Sequence, residues 1–121
     1  MSGAMREATE ISGYHAHVYF EAATKGIAEV LREAIAARFT VEMGRVHDKP
    51  VGPHPLPMYQ VAFGPNEFAQ IVPWLMLNRA GLTVLIHPRT GDDVADHDTN
   101  PLWLGRQLPI DIEFLRRATG A

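Results

Sequence analysis

The sequence predicts one α+β domain in which an antiparallel sheet of four strands carries two long helices on one face. Three observations favour this class: the element order is βαββαβ, the two helices occupy matching places in the two halves, and 121 residues suit one domain. The simplest arrangement of this order is a ferredoxin-like sheet with the strand order 4-1-3-2. We therefore treat residues 1–121 as a single domain with a long C-terminal extension.

The first half of the chain contains a strand, a helix and a second strand. Residues 1–12 are small and polar without a period, so we expect a flexible tail. Residues 14–20 alternate and are rich in aromatic and β-branched side chains, which is typical of a strand. Thr24 is the predicted N-cap of an amphipathic helix that runs to about Arg38, and residues 41–46 form a short second strand.

The second half repeats this order after a loop. Residues 48–57 hold four prolines and a glycine, which indicates a loop, and residues 58–63 are the third strand. The Gly-Pro-Asn sequence at 64–66 opens the second helix, in which we expect Pro73 to cause a kink rather than a break. Residues 82–87 are the fourth strand. The remaining quarter of the chain must cover part of this sheet.

Composition and charge exclude several classes of partner. The net charge is -3 and the 11 Lys and Arg residues are scattered, so nucleic acid is not a main partner. No apolar run approaches the ~18–20 residues of a membrane span. The first residues lack the basic and then apolar profile of a signal peptide, so we expect a cytoplasmic protein. Because Cys is absent, any metal must be held by imidazole, carboxylate or water.

Three histidines are expected to meet on the helix-free face of the sheet. Strands one and four are antiparallel neighbours in the predicted order, so His15, His17 and His87 would converge at one end of that face. Two or three neutral imidazoles with open positions suit Fe(II), Mn(II) or Zn(II). We predict that His17 and His87 are metal ligands, with His15 or His97 as a third. A carboxylate is the alternative third ligand, from among Glu21, Asp92, Asp93, Asp96 and Asp98.

Two further histidines are the predicted catalytic residues. His54 lies between two prolines, and this stiff run would hold the imidazole as an acid–base group at low entropic cost. His97 lies between two aspartates, which favour its protonated form. For both residues the alternative is a loop histidine that faces solvent.

Six short motifs follow one another along residues 14–112. They are YHAHVYF at 14–20, GPHP at 52–55, FAQIVPWLMLNR at 68–79, HPRTG at 87–91, DH at 96–97 and WLG at 103–105. Each motif alone is weak, whereas the ordered set is specific and resembles the DOPA 4,5-dioxygenase family.

This resemblance implies an extradiol-type dioxygenase that cleaves a catechol ring with O2 at a non-haem divalent metal. The family's histidines match His17, His54, His87 and His97, while His15 matches the bacterial form of the first motif more than the fungal one. Fe(II) is the expected metal, with Zn(II) as an alternative in purified protein. DOPA is then a representative catechol, and a catechol and O2 are the expected small-molecule partners.

Two other classes of function fit the same fold. One is a non-catalytic ferredoxin-like module that dimerises through its free sheet face and binds a metal or a small aromatic ligand. The other is a cofactor-free monooxygenase. A homodimer is expected because the free face carries apolar side chains, Tyr19 and Leu85 among them, and large apolar patches are rarely left exposed. Tyr19 or Tyr59 would orient the substrate.

Overall fold

The computed structural model describes residues 4–120 and contains a five-stranded antiparallel sheet with four helices. The strands are β1 (Gly13–Tyr19), β2 (Glu42–Met43), β3 (Met58–Phe63), β4 (Val84–Arg89) and β5 (Leu102–Leu104). The helices are α1 (Lys25–Arg38), α2 (Pro65–Asn78), α3 (Asp93–Asp98) and α4 (Ile112–Thr119). No helix in this described range is long and apolar enough to cross a bilayer.

The strand order across the sheet is β2-β3-β1-β4-β5, with every neighbouring pair antiparallel. The predicted α+β class and the predicted pairing of the first strand with the fourth are confirmed. The central strand β1 is held on both sides, by β3 and by β4. A side chain on β1 therefore has a cross-strand neighbour on either side.

The two long helices form where the apolar period predicts them. Thr24 is the N-cap of α1, which ends at Arg38. Gly64 is the N-cap of α2, and Pro65 occupies the first helical position, where its nitrogen needs no backbone partner. The helix α2 runs through Pro73 without a break.

Four elements differ from the sequence prediction. The second strand was expected over residues 41–46, but only Glu42–Met43 pairs with β3, followed by an isolated bridge at His47. The C-terminal quarter contains α3, β5 and α4, for which the sequence predicted no elements. Elements of three to eight residues are too short to show a clear hydrophobic period.

The predicted flexible tail falls partly outside the described residues, since residues 1–3 are not described. Residues Ala8–Glu10 form a short 3-10 turn. Ser12 donates both its backbone N–H (2.9 Å) and its hydroxyl (3.0 Å) to the carbonyl of Arg89, at the end of β4.

The helix-facing side of the sheet forms the main core. Ala16 and Val18 of β1 and Val84 and Ile86 of β4 are buried there, as their alternation predicts. Their partners on α1 and α2 are Ala28, Leu31, Ile35, Ile71, Val72 and Leu75. The odd-numbered residues of β1, which include two histidines, are thereby turned to the opposite face.

One end of the opposite face is covered by the chain's own C-terminal segment. Tyr19, Met58 and Leu85 form a second apolar cluster with Leu108, and Trp103 packs against it. The homodimer was expected because this face would be open. That reason no longer holds for the covered part, and the homodimer itself stays a prediction.

Candidate metal centre

The histidines of β1 and β4 meet because of strand alternation and register. His15 and His17 lie on the face opposite the main core, and His15 stands directly across from His87. The ring centroids are 5.1 Å apart for His15 and His87 and 5.2 Å apart for His17 and His87. The structure thus brings together the three residues that were predicted as metal ligands.

The loop before β3 and the helix α3 add two more imidazoles. The ring centroid of His54 lies 4.2 Å from that of His17, and the centroid of His97 lies 4.0 Å from that of His87. Two overlapping groups result, each with ring nitrogens within 4.8 Å of one another: His15, His17 and His87 form one, and His17, His54 and His97 the other. We call these five residues the histidine cluster. His47 belongs to neither group.

Two imidazoles of the cluster have their tautomers fixed by backbone carbonyls. The Nδ1–H of His87 donates to the carbonyl of Pro88 (2.9 Å), and the Nδ1–H of His97 donates to that of Asp93 (2.8 Å). A carbonyl can only accept, so Nδ1 carries a proton in both rings, and in the neutral form of each ring Nε2 keeps a free lone pair. Metal-binding histidines usually hold their second nitrogen in this way.

The spacing of His17 and His87 matches two ligands of one ion. Their Nε2 atoms are 3.2 Å apart, and both residues are only 3% exposed. At metal–nitrogen distances of about 2.1 Å, this separation corresponds to an angle of about 100° at the ion, close to tetrahedral. The Nδ1 atom of His17 is buried without a hydrogen-bond partner. The neutral ring can therefore carry its proton on Nδ1 and offer the lone pair of Nε2 to a metal. The donor set therefore fits a divalent metal ion.

Neither histidine group includes a carboxylate. Both oxygens of Asp96, which is 1% exposed, accept hydrogen bonds from Thr90, at 2.8 Å from its N–H and 2.6 Å from its hydroxyl. Asp92 accepts the N–H of Ala95 at the start of α3. Asp96 thus ties α3 to the end of β4 and places His97 beside His87, a positioning role that the sequence did not reveal.

Burial keeps four imidazoles of the cluster neutral. It lowers the pKa of His15 and of His54 to about 4 and that of His87 to about 3, and it lowers the pKa of His17 well below the ordinary value. The neighbouring histidines lower these values further, because several like charges cannot share one site. A neutral imidazole is the form that binds a metal.

These lowered pKa values predict that the metal-free protein loses stability in acid. The folded values lie below the unfolded value of about 6.5, so the unfolded chain binds more protons as the pH falls through that value. The contribution of these histidines to the free energy of unfolding should be constant and at its maximum above about pH 6.5. Below that pH it should decrease, by up to about 1.4 kcal/mol per pH unit for each such histidine.

Urea unfolding of EDTA-treated protein at about pH 7.5 and about pH 5 measures this loss. The variant His54→Gln, which lacks one of the buried titrating groups, should show a smaller difference between the two conditions. Equal midpoints for the wild-type chain at both pH values would contradict the burial of neutral imidazoles.

The two candidate orienting tyrosines lie in different places. The hydroxyl of Tyr19 is 2.7 Å from Nδ1 of His54, and burial raises the pKa of Tyr19, so the hydroxyl keeps its proton. Tyr59 is buried in the main core and donates to the carbonyl of Ala28 (2.8 Å). Tyr19 is therefore at the histidine cluster, whereas Tyr59 faces the helices.

Buried neutral imidazoles with open ligand positions are typical of non-haem metal sites, including those of oxygenases. The chain belongs to the Dopa 4,5-dioxygenase family, whose model matches residues 14–114. It is 33% identical over 88% of its length to the DOPA 4,5-dioxygenase of Amanita muscaria, and 33% identical over 97% of its length to an uncharacterized 21.2 kDa protein of Botryotinia fuckeliana. These alignments span 51% and 68% of the two fungal proteins, respectively.

A solved structure shares both the fold and much of the sequence. The crystal structure of a "putative dioxygenase" of Nostoc punctiforme is 57% identical and superposes with a TM-score of 0.93. The match covers 94% of this chain and 99% of the Nostoc chain. The family and the names of these relatives support an oxygenase enzyme.

Proposed function

We propose that this protein is a metal-dependent dioxygenase that cleaves the ring of a catechol by an extradiol-type reaction. The observation that carries the proposal is the histidine cluster, in which five imidazoles meet and no carboxylate joins them. The support from the family is independent of this geometry. The fold would be a ferredoxin-like βαββαβ core whose C-terminal extension closes one end of the site.

His17 and His87 would hold the metal through their Nε2 atoms, with His15 or His97 as the third ligand. The Nε2 atom of His97 is already oriented as a ligand, because the Nδ1–H of the same ring is bound to a carbonyl. His15 has the strand register in its favour, directly across from His87. When bound, Fe(II) would supply adjacent positions for the substrate oxygens and O2.

Because neither histidine group contains an acidic ligand, the site favours a negatively charged substrate. An all-imidazole set leaves the full double charge of a divalent ion without compensation, and that charge favours an anionic ligand. A catechol that has lost its phenolic protons supplies two adjacent negative oxygens. This charge balance favours an ortho-dihydroxy ring over a monophenol.

The remaining imidazoles of the cluster would accept and donate protons during the reaction. One of His54 and His97 would accept a proton from a phenolic oxygen and return it to the ring-opened product. The apolar cluster of Tyr19, Leu85 and Trp103 lies beside His17 and would exclude water from that end of the site.

The cytoplasmic location and the homodimer stay predictions. The molar mass from light scattering tests the homodimer.

The non-catalytic alternative has one observation in its favour. The cluster offers enough imidazoles to close a tetrahedral Zn(II) site with four protein ligands, which would leave no position for a substrate. Such a site would bind metal tightly without turnover.

Oxygen uptake by the metal-loaded protein separates these functions. The protein is stripped with EDTA, loaded anaerobically with Fe(II) or Zn(II), and mixed with DOPA or with tyrosine, its matched monophenol, in an oxygen electrode. We expect uptake only with Fe(II) and the catechol, together with a ring-opened product. Bound iron without uptake would favour the non-catalytic module, and uptake that survives chelation would remove the metal from the reaction.

A further inference from the structure

The hydroxyl of Tyr19 is directed at one ring nitrogen of a cluster histidine. It lies 2.7 Å from Nδ1 of His54, which is a hydrogen-bond distance, and the described residues 4–120 offer it no second hydrogen-bond partner. Tyr19 is 1% exposed, so bulk solvent does not reach it. A buried hydroxyl that donates to nothing is costly, by about 1–3 kcal/mol. The hydroxyl proton therefore points at Nδ1 of His54.

This direction determines where His54 carries its own proton. If Tyr19 donates, Nδ1 of His54 must be the unprotonated acceptor, and the proton of the neutral ring is on Nε2. The opposite arrangement, in which Nδ1–H donates to the tyrosine oxygen, would leave the hydroxyl proton without an acceptor. His54 thus has the opposite tautomer to His87 and His97, whose Nδ1–H groups donate to carbonyls.

Both partners of this hydrogen bond are held in place. The ring of Tyr19 stacks on that of Trp103, with centroids 6.2 Å apart and an angle of 18° between the planes. The loop that carries His54 is fixed by two backbone bonds, from His54 N–H to Val51 (3.1 Å) and from Asp111 N–H to the carbonyl of Pro53 (2.9 Å). A turn of the His54 ring would break its hydrogen bond to Tyr19.

We propose that Tyr19 is a positioning residue that keeps the proton of His54 on Nε2, so that His54 donates a hydrogen bond to bound substrate or O2 and does not ligate the metal. A nitrogen that carries a proton has no lone pair for a metal. This inference rests on the proposed function and refines it, because the acceptor of the phenolic proton is then His97. It also explains why His54, although its ring contacts that of His17, would not bind the metal beside His17 and His87.

Nitrogen-15 NMR of the histidine rings tests the tautomer directly. Long-range proton–nitrogen spectra are recorded on the full chain, metal-free and loaded with Zn(II), and the His54 signals are identified by their loss in His54→Gln. We expect a protonated Nε2 and an unprotonated Nδ1 for His54 in both states. A protonated Nδ1 in the wild-type protein, or an Nε2 that loses its proton when Zn(II) binds, would overturn the proposal.

Two tyrosine variants show whether the hydroxyl is the cause. Tyr19→Phe should shift the tautomer ratio of His54 toward Nδ1–H by about 5- to 10-fold, the factor that one hydrogen bond supplies. Tyr59→Phe is the matched control, since it removes a buried hydroxyl from the opposite face and should leave the ratio unchanged. An unchanged ratio in Tyr19→Phe would contradict the proposal. The NMR measurement needs no turnover, so it tests the tautomer independently of the proposed function. The predicted tautomer can be wrong in a protein that takes up oxygen, and it can be right in a protein that does not.

Discussion

Replacement of His17 by alanine is expected to lower metal affinity by more than about 100-fold, beyond the range seen when only a supporting residue is lost. His17 is the one residue shared by both histidine groups, so its removal leaves neither group with three nitrogens. Its Nε2 also lies 3.2 Å from that of His87, a separation that suits two ligands of one ion. Competition with a chelator of known affinity, with Zn(II) as the probe, measures the loss.

The matched control for this variant is His47→Ala, which removes a histidine outside both groups and should keep wild-type affinity. His15→Ala and His97→Ala then identify the third ligand, because each residue belongs to a different group. Circular dichroism of the metal-free variants confirms that each is folded. Wild-type affinity in folded His17→Ala would show that the cluster does not hold the metal.

Replacement of His54 by glutamine is expected to lower turnover by roughly 10²–10⁴-fold while metal binding is kept. His54 is 7% exposed, contacts His17 in the cluster and is hydrogen-bonded by Tyr19, so it can hold a proton at a fixed position beside the metal. Glutamine keeps much of the side-chain volume but cannot exchange a proton. Steady-state oxygen uptake with a catechol gives kcat, and metal analysis of the same sample gives occupancy.

The control for the second variant is His47→Gln, which should turn over at the wild-type rate. If His54→Gln loses its metal, His54 is a ligand and both its predicted role and the tautomer assigned to it are wrong. If kcat is unchanged with full metal occupancy, the proton that His54 holds on Nε2 does not contribute to the reaction.

Alternation along the strands was enough to predict which residues face the site. The period of two in β1 separates Ala16 and Val18, which enter the core, from His15 and His17. The antiparallel pairing of β1 with β4 then brings His87 to the same end. The register that sets His15 opposite His87 was not predictable, since it depends on how the whole sheet packs.

The other half of the site depends on contacts that leave no sequence signal. His97 reaches His87 because α3 is tied to β4 through Asp96 and Thr90, and α3 is only six residues long. The carbonyls of Pro88 and Asp93, which fix two tautomers, are backbone groups that any residue could provide. His54 was singled out for its rigid loop, but its partner Tyr19 was identified only by the structure.

The most direct test of the histidine cluster is the location of the metal by anomalous scattering, in crystals loaded with Fe(II) or Zn(II). We predict one peak per chain, about 2.1 Å from Nε2 of His17 and of His87, with His15 or His97 completing the set. His54 should lie nearby without coordinating. A peak elsewhere in the chain, or none at the cluster in crystals that contain the metal, would contradict the assignment of this site.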